Sequence, residues 1–396
     1  MPDCSKTGKA HGLQPVGIGS ARAEVPFSSN NVRLSPREWL VAGAIAAVAF
    51  WLTPLVWQGI EPFEPGPDYR IPYPDSEHSL AEDYWMYLRW CREACREDNI
   101  LVVGDSVIWG HYVYADQTLS HYLGGLAGDN RFRNLGVDGI HPAALEGLVQ
   151  HYAGDLTGKR VLLFCNPLWM ASDERDLKTG REDGFQHPRL IPQFSPRIPC
   201  YKEPLEGRLG VVVQRNAGFL GWVNHLRLAY FQSSDFAAWT RDNPYANPLR
   251  AITLELPSPH EPPPDAEAEP WTAKGIEPYN PPWVDLETSI QWAAFRRTVR
   301  TLQGRGNRVF VLVGPFNEHM LKEPSLAKYR KVQAGIAAWL EASGIPHCVP
   351  PALPSELYAD ASHPLAAGYR ELARRLWADE AFAKFRQGVA AGLAPR

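Results

Sequence analysis

From Trp39 to Trp57 the chain reads WLVAGAIAAVAFWLTPLVW, 19 positions without a charge. A helix of that length reaches roughly 28 Å, close to the hydrocarbon thickness of a bilayer. Trp39, Trp51 and Trp57 stand toward its ends, where amphipathic rings favour the membrane interface. Pro54 falls in the last turn and would kink such a helix without forbidding it. A buried globular helix is seldom apolar on every side. A cleaved signal has a shorter apolar core and a small-residue cleavage site. The pattern therefore predicts a single-pass membrane anchor over residues 39–57.

Beyond the anchor the periodicity changes. Ser79–Asp98 carries Leu80, Tyr84, Tyr87, Leu88 and Cys91 at helical spacing, which predicts an amphipathic helix. Ile100–Val103 is a short apolar, β-branched run, the signature of a buried strand. Helix is expected over Gln117–Leu126, strand over Phe132–Leu135, helix over Pro142–Tyr152 and strand over Arg160–Cys165. After a long irregular stretch the alternation resumes. It gives helix Ser289–Gln303, strand Arg308–Val313, helix Ser325–Ala342, a last short strand Ile345–Val349 and a closing helix Pro364–Trp377. Short apolar strands alternating with helices predict an α/β fold, a parallel sheet flanked by helices on both sides. Loops at the carboxyl ends of its strands are where reactive groups should collect.

Four segments result: residues 1–38, short of periodic apolar positions and expected to be disordered; the anchor, 39–57; a Pro-rich, acidic stalk, 58–78; and one domain, 79–396. That domain carries a large Pro-rich insert, about 170–283. Runs such as SPHEPPPDAEAEP and YNPPW suit neither helix interior nor central strand. A helix is expected inside it at Gly218–Phe231. Trp271, Tyr279 and Trp283 read as exposed insert aromatics that could stack on sugar rings or pack on the body as a lid.

Charge orients the anchor. Lys6, Lys9, Arg22, Arg33 and Arg37 precede it, whereas Glu61, Glu64, Asp68 and Asp75 follow it with Arg70 alone among cations. Lys and Arg resist translocation, so the N-terminus is expected to be cytoplasmic and the domain extracytoplasmic at the cell membrane. The formal net charge of −4 gives no basic face and argues against nucleic acid as a partner. The six cysteines show no paired Cys-x-x-Cys spacing of the zinc type, and their pairing is not deducible. Cys91 and Cys95, one helical turn apart, read as half-buried thiols rather than a bridge. No metal and no cofactor is expected.

Two motifs carry chemistry. Gly104-Asp105-Ser106 follows an apolar strand, where a serine at a strand-to-helix turn can expose its hydroxyl above the sheet. A serine hydroxyl needs a base to take its proton. Far along the chain, Asp360-Ala361-Ser362-His363-Pro364 precedes the last helix. An Asp and a His three apart in a turn can place the carboxylate against one imidazole nitrogen, fixing the tautomer. Either motif alone also reads as a helix cap.

In this order and at these boundaries the two motifs resemble the SGNH (GDSL-like) hydrolase family. That family places a nucleophilic serine in a Gly-Asp-Ser block after the first strand and an Asp-x-x-His block before the last helix. The resemblance implies a flavodoxin-like sheet and a catalytic set of Ser106, His363 and Asp360. It also implies an oxyanion hole built from the N–H groups of Ser106 and Gly139 and the side-chain amide of Asn166. Gly139 closes the run Asn134-Leu135-Gly136-Val137-Asp138-Gly139, with Gly136 in reserve. Asn166 keeps the asparagine of the third block, but Cys165 and Pro167 stand where that block has Gly and Asp neighbours. The resemblance covers about residues 98–168 and 284–380.

The chemistry implied is acyl transfer through an acyl-enzyme, as an esterase or an O-acyltransferase, with an acyl ester or acylated glycan as substrate. The plan of anchor, serine block, the run Asn166–Trp169 and late Asp-x-x-His is similar to envelope proteins that move acyl groups onto surface polymers. A membrane acyl-donor protein would be a natural partner for transfer. A non-catalytic envelope scaffold on the same fold and a lipid-directed esterase are the alternatives. His111, His121, His141 and His151 show no carboxylate or metal-ligand pattern and are expected as surface or core residues. Asp105 is expected to hold the nucleophile turn. Asn317, Glu318 and His319 end a strand and could reach the same rim.

Overall fold

A computed structural model describes residues 34–72, 82–181, 186–256 and 268–387. Contacts divide the chain after Phe50, so Trp51–Arg396 form one body.

Helix α1 runs from Pro36 to Ile60. It is long and apolar enough to cross a membrane. Ser35 and Glu38 start it by reciprocal bonds between each side chain and the other's backbone N–H.

The sheet follows the predicted alternation. Its strands are β1 (Ile100–Gly104), β2 (Phe132–Gly136), β3 (Arg160–Cys165), β4 (Arg308–Val313) and β5 (His347–Cys348). All neighbours are parallel and the order is β2-β1-β3-β4-β5. Crossing from β1 to both sides makes β1 and β3 the place where strand order reverses, the position at which open α/β sheets open a crevice.

Period-two side chains sort the strands between two cores. Leu101, Val103, Val161, Leu163, Val309 and Val311 face one side. There they meet α2 (Tyr84–Ala94), α5 (Pro142–Tyr152), α10 (Ile290–Gly304) and α11 (Glu323–Ala342). Ile100, Val102, Leu162, Phe164, Phe310 and Leu312 face the other. Those pack on α3 (Ser106–Trp109), α4 (Leu119–Ala127), α12 (Ala366–Ala378) and α13 (Glu380–Arg386). Burial on both faces explains why the strands are apolar without alternation.

Between β3 and α10 the described residues contain no strand. They hold α6 (Leu205–Asn216), α7 (Gly218–Tyr230), α8 (Phe236–Asp242) and α9 (Pro248–Ala251). Only α7 matches a predicted helix. Much of the run SPHEPPPDAEAEP lies outside the described residues, as do residues 79–81, where the sequence predicted the start of the Ser79–Asp98 helix.

Two expectations need correction. Residues 58–72 are not an extended stalk: Glu61, Tyr69, Arg70 and Ile71 are buried in the body. The Arg70 guanidinium donates to the carbonyls of Trp109 and Gly110 at 2.9 Å and of Val113 at 3.0 Å, which is how a buried charge is tolerated. The remainder of that expected stalk, 73–78, lies outside the described residues. Trp271 and Trp283 are not exposed aromatics either. Both are buried, their indole N–H groups donating to Ser355 and Ser325 respectively. Cys91, Cys95, Cys165 and Cys348 are free thiols, the first three buried, and Cys200 is buried as well; Cys4 lies outside the described residues.

Candidate active site

The site grows from the turn after β1. A Cβ on Gly104 would stand 2.5 Å from Ile108 Cγ1 and 2.7 Å from Phe164 Cβ, so the strand can enter α3 this tightly only through glycine. Asp105 caps α3, its carboxylate accepting from the Val107 N–H at 3.0 Å. The carbonyls that follow are fixed from several directions. Asn134 donates to Ile108 O at 2.9 Å, and the Tyr369 hydroxyl donates to Val107 O at 2.6 Å. Arg70 holds the carbonyls beyond, and its guanidinium stacks 3.9 Å from the Trp109 ring centre. Ser106 is thereby set on a short, heavily braced turn.

The second half comes from the loop between β5 and α12. The Asp360 carboxylate accepts from the backbone N–H groups of Ser362 and His363, both at 2.9 Å. Asn317, after β4, steadies the loop by donating to Asp360 O at 3.0 Å and by taking Ala361 O on its backbone N–H.

The two halves meet. His363 Nε2 lies 2.8 Å from Ser106 Oγ, across 257 positions of sequence. Its Nδ1 lies 2.8 Å and 2.9 Å from the two oxygens of Asp360. Burial alone would pull the His363 imidazole down. The charge and hydrogen bond of Asp360 outweigh it and leave the group raised above its ordinary value. Burial likewise works against the Asp360 carboxylate, but His363 and the two backbone donors hold it well below the usual carboxylate range.

Ser106, Gly139 and His363 line one cleft of about 490 Å³. Gly139 sits at φ +67°, a left-handed conformation that suits glycine, and the Gln186 amide fills the space its Cβ would take. Asn166 follows β3 as expected but does not line that cleft. Its amide donates to Asp105 Oδ2 at 2.8 Å, and the Trp169 indole N–H donates to the same oxygen at 2.9 Å. Burial pushes the Asp105 carboxyl up, only partly offset by these donors.

No protein-family model matches the chain, and no curated protein matches it.

His111 is the residue the sequence reading missed. It lines the cleft, its Nδ1 stands 2.7 Å from Asp138 Oδ1, and its ring lies 5.2 Å from that of His363. No spacing rule joins positions 111 and 138; the pairing exists because the turns after β1 and β2 lie side by side. Of the other histidines, His121 pairs with Asp68 at 3.0 Å away from the cleft. His141 caps α5 and lines the cleft, pulled down to about 3 by burial and by His187. His151 is half-buried and pulled down to about 4 by burial and by Arg215. Glu318 faces Arg330 and His319 faces Leu353 O, so of the trio after β4 only Asn317 serves the site. Among the described residues no group of three or more His, Cys, Asp or Glu side chains is placed to hold a metal ion.

Chemically, the arrangement can draw a proton from Ser106 Oγ onto His363 Nε2 while Asp360 stabilises the resulting imidazolium. Two backbone N–H groups, of Ser106 and Gly139, belong to residues on the wall of the same cleft.

Proposed function

We propose that this chain is a serine-dependent acyl ester hydrolase or O-acyltransferase of the SGNH type, acting on acylated glycans or glycopolymers of the cell envelope. The carrying observation is the continuous contact Ser106 Oγ–His363 Nε2 and His363 Nδ1–Asp360. In the proposed reaction Ser106 Oγ attacks the ester carbonyl as its proton passes to His363 Nε2. The tetrahedral oxyanion is met by the backbone N–H groups of Ser106 and Gly139, each donor contributing on the order of 3 kcal/mol. Collapse expels the alcohol, which takes the proton from His363 and leaves an acyl-Ser106. Water or an acceptor hydroxyl, deprotonated by His363, then releases the acyl group. With α1 read as the anchor, positive charge before it and negative charge after it favour an extracytoplasmic domain. For transfer, a membrane acyl-donor protein is the natural source of the acyl group.

One observation favours a second reading, a non-catalytic scaffold on this fold: the Asn166 amide is turned to Asp105 rather than into the cleft. A single experiment separates the two. The full chain in detergent is treated with a fluorophosphonate probe and assayed with p-nitrophenyl acetate, beside Ser106→Ala. The catalytic reading expects labelling and turnover in the wild type and loss of both in the variant. Equal turnover in the two proteins would remove Ser106 from the chemistry. A wild type that is neither labelled nor active supports the scaffold.

A further inference from the structure

The described insert carries a surface inverted relative to an ordinary soluble helix. On α6, Leu205, Leu209 and Val213 recur every four residues and all point outward, Leu205 being 65% and Val213 55% exposed. The polar side of α6 faces in instead. Arg208 donates to Tyr201 O at 2.8 Å and Arg215 donates to Ile191 O at 2.6 Å. A surface helix in water does the reverse. On α8, Phe236 is 60% exposed beside the buried Phe231, and on α9 Leu249 is 76% exposed. Neither α6, α8 nor α9 buries a single residue.

This apolar surface adjoins the place where the chain leaves α1. Trp57, near the end of α1, packs edge-on against Trp222 of α7 with ring centres 5.6 Å apart. One residue past α1, Glu61 accepts from His225 Nε2 of α7 at 2.9 Å, and α6 packs along α7. Within the same body, Leu55 and Val56 of α1 are also more than half exposed. The end of α1 thus packs on α7, the helix that α6 also lies along.

We propose that α6–α9 are a second, monotopic membrane contact. Their outward apolar side chains enter the interfacial region of the bilayer that α1 crosses, with Trp and Phe rings at headgroup depth. The body then rests on the lipid surface instead of swinging on a single helix, and the cleft stands at a fixed height above it. This goes beyond the acyl-transfer reading and does not depend on it.

The test is depth measurement on the full chain in phosphatidylethanolamine/phosphatidylglycerol vesicles, with Cys4→Ser and Cys348→Ser as background. A nitroxide is placed by Leu209→Cys, Val213→Cys or Leu249→Cys. Val48→Cys reports insertion of α1, and Lys331→Cys reports a residue in water. The insert labels are expected to lose collisions with an aqueous nickel chelate severalfold relative to Lys331→Cys while gaining collisions with oxygen. If they read like Lys331→Cys while Val48→Cys reads as inserted, the insert stands clear of the lipid and the proposal fails. If they are shielded from both quenchers, protein covers the face, a second copy in this purified system, and the lipid contact fails equally.

Discussion

His225 offers a quantitative test of how the residues just after α1 are held. Its Nδ1 lies 2.7 Å from Asp83 and its Nε2 2.9 Å from Glu61, with no exposed surface on its side chain. Arg89 and the Tyr230 hydroxyl meet the same Glu61 carboxylate. Two buried carboxylates therefore face two cations only while His225 is protonated. Burial lowers the His225 imidazole, but Asp83 and Glu61 outweigh it and push it up to about 9. Against the ordinary 6.5, that corresponds to about 3 kcal/mol of stability, fully present below pH 6.5. The sign follows from the raised folded value: the contribution falls to about 2 kcal/mol near pH 7.5 and is lost as pH rises through about 9. His225→Gln removes the cation and leaves the carboxylates unbalanced. Thermal unfolding of the full chain in detergent should show the variant lower by roughly 5 °C at neutral pH. Because other groups titrate at high pH, the informative quantity is the difference between wild type and variant. That difference should be largest near pH 6 and shrink toward pH 9.5. A gap that is independent of pH, or widens as pH rises, refutes the account of a protonated imidazole bridging two acids.

Asp360→Asn should lower p-nitrophenyl acetate turnover by about 10⁴-fold, because the amide no longer fixes or balances the imidazole, while Ser106 labelling slows in parallel. If His363 is the base of the proposed reaction, its neutral form is the one that acts, so turnover should be lost as pH falls through a value above 6.5, and Asp360→Asn should shift that limb to lower pH. Gly136→Ala would set a Cβ 2.4 Å from the Trp109 backbone N, and chemical denaturation should register a loss of roughly 2 kcal/mol. Asn166→Ala and Trp169→Phe each remove one donor from Asp105 Oδ2 and should cost about 1–3 kcal/mol of stability. If Asn166 acts only through Asp105, the two variants lose activity to a similar extent; a further 10²-fold loss in Asn166→Ala alone would mean that its amide also reaches the oxyanion.

The sheet was legible because its signal is local. RVLLFC and RVFVLV are each buried on both faces, so their apolar runs carry the strand assignment without help from neighbours. The serine and His/Asp motifs were legible for a related reason. Each is a short turn whose internal bonds, Asp105 to Val107 and Asp360 to His363, lie within three residues. What failed to show was long-range. β5 is only two residues long, His347 and Cys348, paired with Val311 and Leu312, where an apolar run over Ile345–Val349 suggested more. His111 gained its carboxylate from position 138 through the adjacency of β1 and β2. Helix α6 escaped because its Leu205, Leu209 and Val213 stripe competes with two helix-weakening glycines, Gly207 and Gly210, and with β-branched Val211, Val212 and Val213.

The residues after α1 show why composition misleads there. Acid, proline and a lone arginine read as solvated chain, since an unpaired charge is costly to bury. Here the two buried charges each have a distant partner. Glu61 finds His225, 164 positions on, and Arg70 finds the Val113 carbonyl, 43 positions on. The two partners lie at opposite functional ends: His225 belongs to α7 of the insert, whereas Arg70 braces the carbonyls immediately beyond Ser106. The stretch that sequence suggests is a spacer therefore ties the end of the apolar helix, the insert and the turn that carries Ser106 into one body. An Arg70→Met change should accordingly be felt at Ser106, more than 35 residues away in sequence, because it takes a donor away from three backbone carbonyls just beyond that serine, and a slower fluorophosphonate labelling of Ser106 would register it.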